Sequence, residues 1–252
     1  MVHKHIGTLI FKLTHFQIFK LIMHPYLQPL ISALDAAANP TQAGAMEKYM
    51  KNLFVFYGIK SPQRKVFFKT FVKEYGLPPI DELEDTIKVL WNMPYRECHY
   101  VAIDLLDKML KKLEPKHLPM LEEMLTTSSW WDTVDLIASH QVGGLLKKHP
   151  ELIPENTERW INSDNFWLQR VAILYQLGYH KDTDAERLFR YCRLRASSKE
   201  FFIRKGIGWA LRQYSYTNPD AVLQFVGENN LSPLSKREAL KGINRKQLKG
   251  LS

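Results

Sequence analysis

Helix-start signals recur along this 252-residue chain at nearly constant spacing. Ser61, Pro94, Ser129, Asp164, Ser198 and Ser232 each stand at the head of an apolar-periodic segment, and they are separated by 33, 35, 35, 34 and 34 residues. A further helix fits inside every interval. From Met23 onward nearly every segment carries the helical apolar period, and none alternates long enough to suggest a strand. Two helices per unit at this spacing imply an all-α fold, an α-solenoid of HEAT-like helical pairs. Stacked pairs of this kind curve, and the concave face that results suits a long ligand better than a small molecule.

Within that series, Ser128-Ser129-Trp130-Trp131-Asp132-Thr133-Val134-Asp135 places Trp131 and Asp135 one turn apart on the same helical face. An acid beside an aromatic plane is a chemical pairing. The same octet also reads as ordinary helix-start chemistry, with Ser129 as N-cap, the tryptophans as core and the acids favoured near a helix N-terminus. Counting from each start, Asp135, Arg170 and Arg204 all fall six residues in, while Trp131 and Phe166 fall two residues in. Equivalent positions in successive repeats line one surface. A carboxylate, two guanidiniums and aromatic rings along one ridge make a poor core, because charged groups are seldom buried unpaired. Trp209 lies eleven residues into its unit, about 140° around an ideal wheel from Arg204, and this count favours a core position for it.

Charge is unevenly distributed. The formal net charge is +9, yet from Arg187 onward fourteen Lys or Arg face only four acids, net +10, so residues 1–186 carry −1. A positive excess confined to the last quarter suggests a surface for a polyanion, although a solvated basic face would have the same composition. Cys98 and Cys192 form no paired C-x-x-C arrangement, and the nine histidines include no H-E-x-x-H, so no metal or cofactor is expected. Two lone thiols fit a reducing cytoplasm. Residues 1–22 read as a loose amphipathic extension too broken by Lys4, Lys12 and Lys20 for a membrane span or signal core. The expected organisation is this extension, with an alternative start at Met23, followed by a single repeat domain over residues 23–252.

Six segments taken together resemble a known family. Lys48-Tyr49-Met50-Lys51-Asn52-Leu53-Phe54, Gly58-Ile59-Lys60-Ser61-Pro62, the Ser129 to Asp135 run, Trp167-Leu168-Gln169-Arg170, Ser198-Lys199-Glu200-Phe201-Phe202-Ile203-Arg204-Lys205-Gly206-Ile207-Gly208-Trp209, and Leu234-Ser235-Lys236-Arg237-Glu238 resemble, in order and spacing, the AlkD-type DNA alkylation repair glycosylases. Residues 1–22 have no counterpart in that resemblance. It implies a monofunctional glycosylase that removes cationic N3- or N7-alkylated purines from duplex DNA held on the concave basic face, working as a monomer in the cytoplasm at the nucleoid. It also implies Trp131, Asp135 and Trp209 as the residues facing the lesion's sugar, which overrides the core reading of Trp209, with Arg170 holding the nearby DNA backbone. Tyr49, Lys51 and the turn carrying Ser61, Arg64 and Lys65 would add DNA contacts. Lys199, Arg204, Lys205, Arg212, Lys236, Arg237 and Lys241 would contact phosphates, which position a duplex without reading its sequence.

The implied chemistry is consistent with a single carboxylate. Glycosidic cleavage builds oxocarbenium character on the sugar, and most glycosidases add a second acid to protonate the leaving group. An N3- or N7-alkylpurine is already cationic and departs neutral. Another class remains open on the sequence: a non-catalytic helical solenoid that binds DNA or a protein partner.

Overall fold

The computed structural model describes residues 25–249, with side chains described as far as Ile243. The expected extension over residues 1–22 lies outside the described residues. Every regular element among them is helical; the one strand-like pairing is an isolated bridge between Val55 and Tyr95. The described residues divide into two compact units, one up to Leu105 and the other from Leu106.

In the first unit, a 3-10 turn at Pro25–Leu27 leads into α1 (Gln28–Ala36), followed by α2 (Pro40–Tyr49), α3 (Ser61–Tyr75), α4 (Leu83–Trp91) and most of α5 (Arg96–Met109), whose last turn belongs to the second unit. Its core is aliphatic and aromatic, with Leu27, Leu30, Ile31, Leu34, Leu83, Ile87 and Leu90 almost fully buried. The loop between α2 and α3 is held by one carboxylate. Glu97, fully buried at the start of α5, accepts from the backbone N–H groups of Tyr57 (3.0 Å), Gly58 (2.9 Å) and Ile59 (3.0 Å). Three charge-assisted bonds satisfy an acid that burial would otherwise penalise heavily. Its neighbour Arg96, also fully buried, stacks its guanidinium 3.8 Å from the Phe54 ring centroid and donates to His99 Nδ1 at 3.0 Å. The loop can take this course because Gly58 has φ +86°, and a Cβ there would meet the Asn39 carbonyl oxygen at 2.1 Å.

The second unit contains α6 (Leu118–Thr126), α7 (Trp131–Leu136), a π-helical turn at Ile137–Val142 continuing into α8 (Gly143–Lys148), α9 (Ile153–Ile161), α10 (Phe166–Leu174), α11 (Ala185–Leu194), α12 (Phe201–Ser215), α13 (Pro219–Glu228) and α14 (Pro233–Lys249). Successive repeats are tied across α6, α9 and α11 by recurring polar contacts. Glu122 accepts from both arms of Arg159 (2.5 and 2.6 Å) and from Trp160 Nε1 (3.1 Å), while Glu158 pairs with Arg190 and accepts from Tyr191 OH (2.8 Å).

The helix starts sharpen the repeat. Ser61, Arg96, Trp131, Phe166 and Phe201 are the first residues of α3, α5, α7, α10 and α12, so four successive intervals are each 35 residues. The expected starts at Pro94, Ser129, Asp164 and Ser198 precede the helices by two or three residues. The offset has a local cause. Ser163 and Ser198 use their hydroxyls to accept from Asn165 N (3.1 Å) and Glu200 N (3.2 Å), and it is Asn165 and Glu200 that cap the helices, accepting from Trp167 N and Phe202 N. Ser129 is likewise not the N-cap: its hydroxyl donates to Leu125 O at 2.7 Å, and Trp130 occupies the cap position with extended backbone.

Both cysteines are fully buried, and loss of hydration pushes both thiols well above their usual range. Cys98 and Cys192 should therefore resist a thiol-specific reagent in the folded protein and label rapidly only in denaturant. Gly58→Ala should destabilise the protein by about 2 kcal/mol or more, through the left-handed backbone and the contact with Asn39, measured as a lower urea midpoint.

Candidate active-site cleft

The 35-residue register places side chains of successive repeats side by side. Asp135, Arg170 and Lys205 each stand four residues beyond the first residue of their helices α7, α10 and α12. Arg204, expected on this ridge, is one position off it. Its Nε donates to Ser198 O at 2.7 Å, as Gln169 Nε2 donates to Ser163 O at 2.7 Å, so Arg204 is the counterpart of Gln169 rather than of Arg170. The same shift relocates Trp209. Phe201, Lys205, Trp209 and Arg212 follow one another at four-, four- and three-residue steps along α12, within about 80° of each other on a helical wheel. Trp209 accordingly lines the cleft and is not core.

Asp135, Arg170, Phe201, Lys205, Trp209 and Arg212, together with Trp131, Phe202 and Glu238, surround an open cleft of about 260 Å³ in the second unit. At its base Arg170 grips Asp135 with two parallel bonds, Nε to Oδ1 at 2.6 Å and Nη2 to Oδ2 at 2.9 Å. The side chains of Arg170 and Asp135 are 5% and 14% exposed. A third bond runs from Arg170 Nη1 to the Phe202 carbonyl oxygen. The guanidinium is thus rigidly held by α7 and α12 at once, and it orients the carboxylate in turn. Each carboxylate oxygen retains a second lone pair for another donor.

An aromatic cluster backs this pair. Trp130 meets Trp167 and Phe202 edge-on at centroid distances of 6.0 and 5.2 Å, and Phe202 lies 4.9 Å from Trp167. Trp131 and Trp209 remain half-buried at the cleft. Trp130 packs as expected, and Asp132 stands in the first turn of α7.

A second carboxylate was not singled out from the sequence. Glu238, on α14, is only 5% exposed and accepts from Lys205 Nζ (2.9 Å), Lys241 Nζ (2.7 Å) and Arg212 Nη1 (3.1 Å). Two glycines of the Arg204-Lys205-Gly206-Ile207-Gly208-Trp209 run make room for these ion pairs. A Cβ on Gly206 would come within 3.0 Å of Arg170 Nη1; one on Gly208 would lie 2.5 Å from Glu238 Cβ and 2.9 Å from Ser235 O. The sequence signal for Glu238 was its position among only four acids in the basic last quarter.

The other expected residues are distributed more widely. Lys199 and Arg237 are exposed, Lys236 is half-buried, and none of the three lines the cleft. In the first unit Tyr49 is 71% exposed, and Lys51, Ser61 and Lys65 are also exposed. Arg64 is turned inward, its Nη2 3.0 Å from Asp104 Oδ2 and its guanidinium 4.8 Å from the Tyr100 ring centroid. No group of His, Cys, Asp or Glu that could hold a metal ion occurs among the described residues, and no described helix is long and apolar enough to cross a membrane.

Fold and cleft define a helical-repeat protein whose conspicuous feature is an ion-paired carboxylate among tryptophans and cations. The DNA alkylation repair enzyme family profile matches residues 30–243, and the chain belongs to that family of DNA repair proteins. Among solved structures it is similar to a predicted DNA alkylation repair enzyme from Enterococcus faecalis, with 35% identity over 81% of this chain and 95% of that one and a TM-score of 0.75. It also shares the fold of smu.31 from Streptococcus mutans, at 18% identity over 78% of this chain and 98% of that one, TM-score 0.55. A comparison with curated protein sequences returns no match.

The Glu238 cluster has a pH signature. The Lys241 ammonium, with Lys205, holds its carboxyl down at about 2 from an ordinary value of 4.5. A depressed folded-state pKa gives stabilisation that is complete above the unfolded value and lost as pH falls through the folded one. The melting-temperature difference between wild type and Glu238→Gln should therefore be constant above about pH 5.5 and shrink progressively between about 4.5 and about 2.

Proposed function

We propose that the chain is a monofunctional DNA glycosylase of the AlkD type, hydrolysing the N-glycosidic bond of cationic N3- or N7-alkylated purines in duplex DNA. The observation that carries this reading is the Asp135 carboxylate, oriented by a buried arginine in a cleft it shares with Trp131 and Trp209. As the base leaves, positive charge develops on the sugar. A preorganised anion stabilises that charge without reorganising at the moment of reaction, and the free lone pairs of Asp135 can orient the attacking water and accept its proton. The faces of Trp131 and Trp209 add cation–π attraction of ~1–2 kcal/mol each in a desolvated cleft. Because an alkylated purine departs neutral, no general acid is needed. Selectivity then follows from lesion charge, and neutral lesions such as uracil or hypoxanthine are poor substrates.

Duplex DNA is the proposed partner. Lys205 and Arg212 in the cleft, with exposed Lys199, Arg237, Lys51 and Lys65 and the half-buried Lys236 and Arg204, supply phosphate contacts that do not read sequence. Tyr49 and Ser61 are proposed as further contacts at exposed positions of the first unit. Arg170 acts chiefly on Asp135, leaving the second hydrogens of Nη1 and Nη2 for a nearby phosphate. A second reading is supported by the same ion pair: Asp135 and Arg170 satisfy each other, as in a purely structural bridge, and the chain would then bind DNA without cutting it.

Release of free 7-methylguanine from a methylated duplex under single-turnover conditions separates the two. Asp135→Asn should lower the excision rate by about 10²–10³-fold, with duplex affinity nearly unchanged. Wild type releasing no alkylpurine would support the binding protein, and a fully active Asp135→Asn would remove that carboxylate from the mechanism. Trp131→Ala and Trp209→Ala should each cost about tenfold.

A further inference from the structure

Glu238 is the one nearly buried carboxylate of the cleft that the proposed hydrolysis does not use. Two of its three cationic partners, Lys205 and Arg212, line the cleft with it. The third, Lys241, is exposed one turn further along α14. Both carboxylate oxygens are engaged, Oε1 by the two ammoniums and Oε2 by the guanidinium. One negative charge therefore gathers three positive ones, and the cluster keeps a positive excess. Each Lys has further N–H donors beyond the one spent on Glu238, and Arg212 keeps most of its fork. A compact group of cations with unspent donors is suited to a phosphate oxygen, provided something prevents the cations from repelling one another apart.

Glu238 is held in place by more than its charge. Gly208 lets α14 come against α12 at Glu238 Cβ, and Ser235 on the preceding turn donates its hydroxyl to Arg204 O at 2.9 Å. The carboxylate is thus set into the joint between the two helices, with its cations arranged around it.

We infer that Glu238 is a positioning residue: it organises Lys205, Arg212 and Lys241 into a single phosphate-binding cluster that seats the DNA backbone beside Asp135. This rests on the reading of the cleft as DNA-acting, although not on the hydrolysis itself. It has a sign that bulk electrostatics does not share. Glu238→Gln makes the protein more positive by one charge, which by long-range attraction alone would tighten binding to any duplex. Positioning requires the reverse, because three cations released from their common anchor spread apart and must be reordered by the ligand.

The test measures anisotropy of a fluorescently labelled, undamaged short duplex as a function of salt, alongside single-turnover excision from a duplex containing 7-methylguanine. Glu238→Gln should weaken undamaged-duplex binding by about 3- to 10-fold, with the salt slope shallower by about one to two contacts. The maximal excision rate should stay within about twofold, the loss appearing as a higher half-saturating protein concentration. Lys205→Met and Arg212→Met should each weaken binding in the wild-type background and do so much less with Glu238→Gln already present. Binding as tight as wild type or tighter, or additive losses in those double variants, would overturn the inference. If Glu238→Gln does not fold, Lys205→Met and Arg212→Met decide it alone: as one cluster they lose less together than the product of their separate losses, and independent losses refute it. A wild type that binds duplex but excises nothing sinks the glycosylase reading only; one that binds no duplex sinks both.

Discussion

A guanidinium removed from water must be paired, and much of the second unit is arranged around that requirement. Arg170 is 4% exposed, and its three bonds reach a carboxylate on α7 and a carbonyl oxygen on α12. Breaking such a pair from one side leaves a buried charge without its partner, at a cost of about 3–5 kcal/mol. The pair therefore couples three successive helices of the 35-residue ladder. It also delivers Asp135 to the cleft in a single orientation, which is what an electrostatic catalyst needs and a flexible surface acid lacks.

The neighbouring joint repeats the arrangement with the signs exchanged. Asp135 and Arg170 meet between α7 and α10; Lys205 and Glu238 meet between α12 and α14. At both joints a glycine of α12 provides the space, Gly206 for the arginine and Gly208 for the glutamate. The cleft wall is consequently a set of ion pairs, with cations in excess, among aromatic faces. Such mixed charge suits the cationic sugar and anionic backbone that the proposed hydrolysis would bring together. In the first unit the buried Glu97 shows the same economy, anchoring a loop by its backbone N–H groups and so setting the entry to α3 at Ser61.

The helical class and its period were legible because caps and prolines mark helix starts locally. Register was legible only to within two or three residues. Asp164 stands two residues and Ser198 three residues before its helix, because Ser198, like Ser163, serves a turn two residues ahead of the true cap, and Trp130 caps by backbone position alone. That small offset put Arg204 on the ridge in place of Lys205 and sent Trp209 to the core until the family resemblance restored it. Asp135 and Trp131 keep a shared face whatever the offset, because both lie within about one turn of the same helix. Long-range pairing was not legible at all. Nothing local distinguishes Arg64 from an exposed first-turn base, because Asp104 is forty residues away. Glu238 likewise becomes distinctive only when α12 and α14 are packed together.

The claim that the Asp135–Arg170 pair is the catalytic unit, and not two residues acting separately, is tested most directly by a double-mutant cycle on single-turnover excision of 7-methylguanine. If the pair acts as one device, Asp135→Asn and Arg170→Gln each lower the rate severely, and the double variant is no slower than the slower single one. A double variant whose loss equals the product of the two single losses, or an Arg170→Gln that excises at the wild-type rate, would contradict the account.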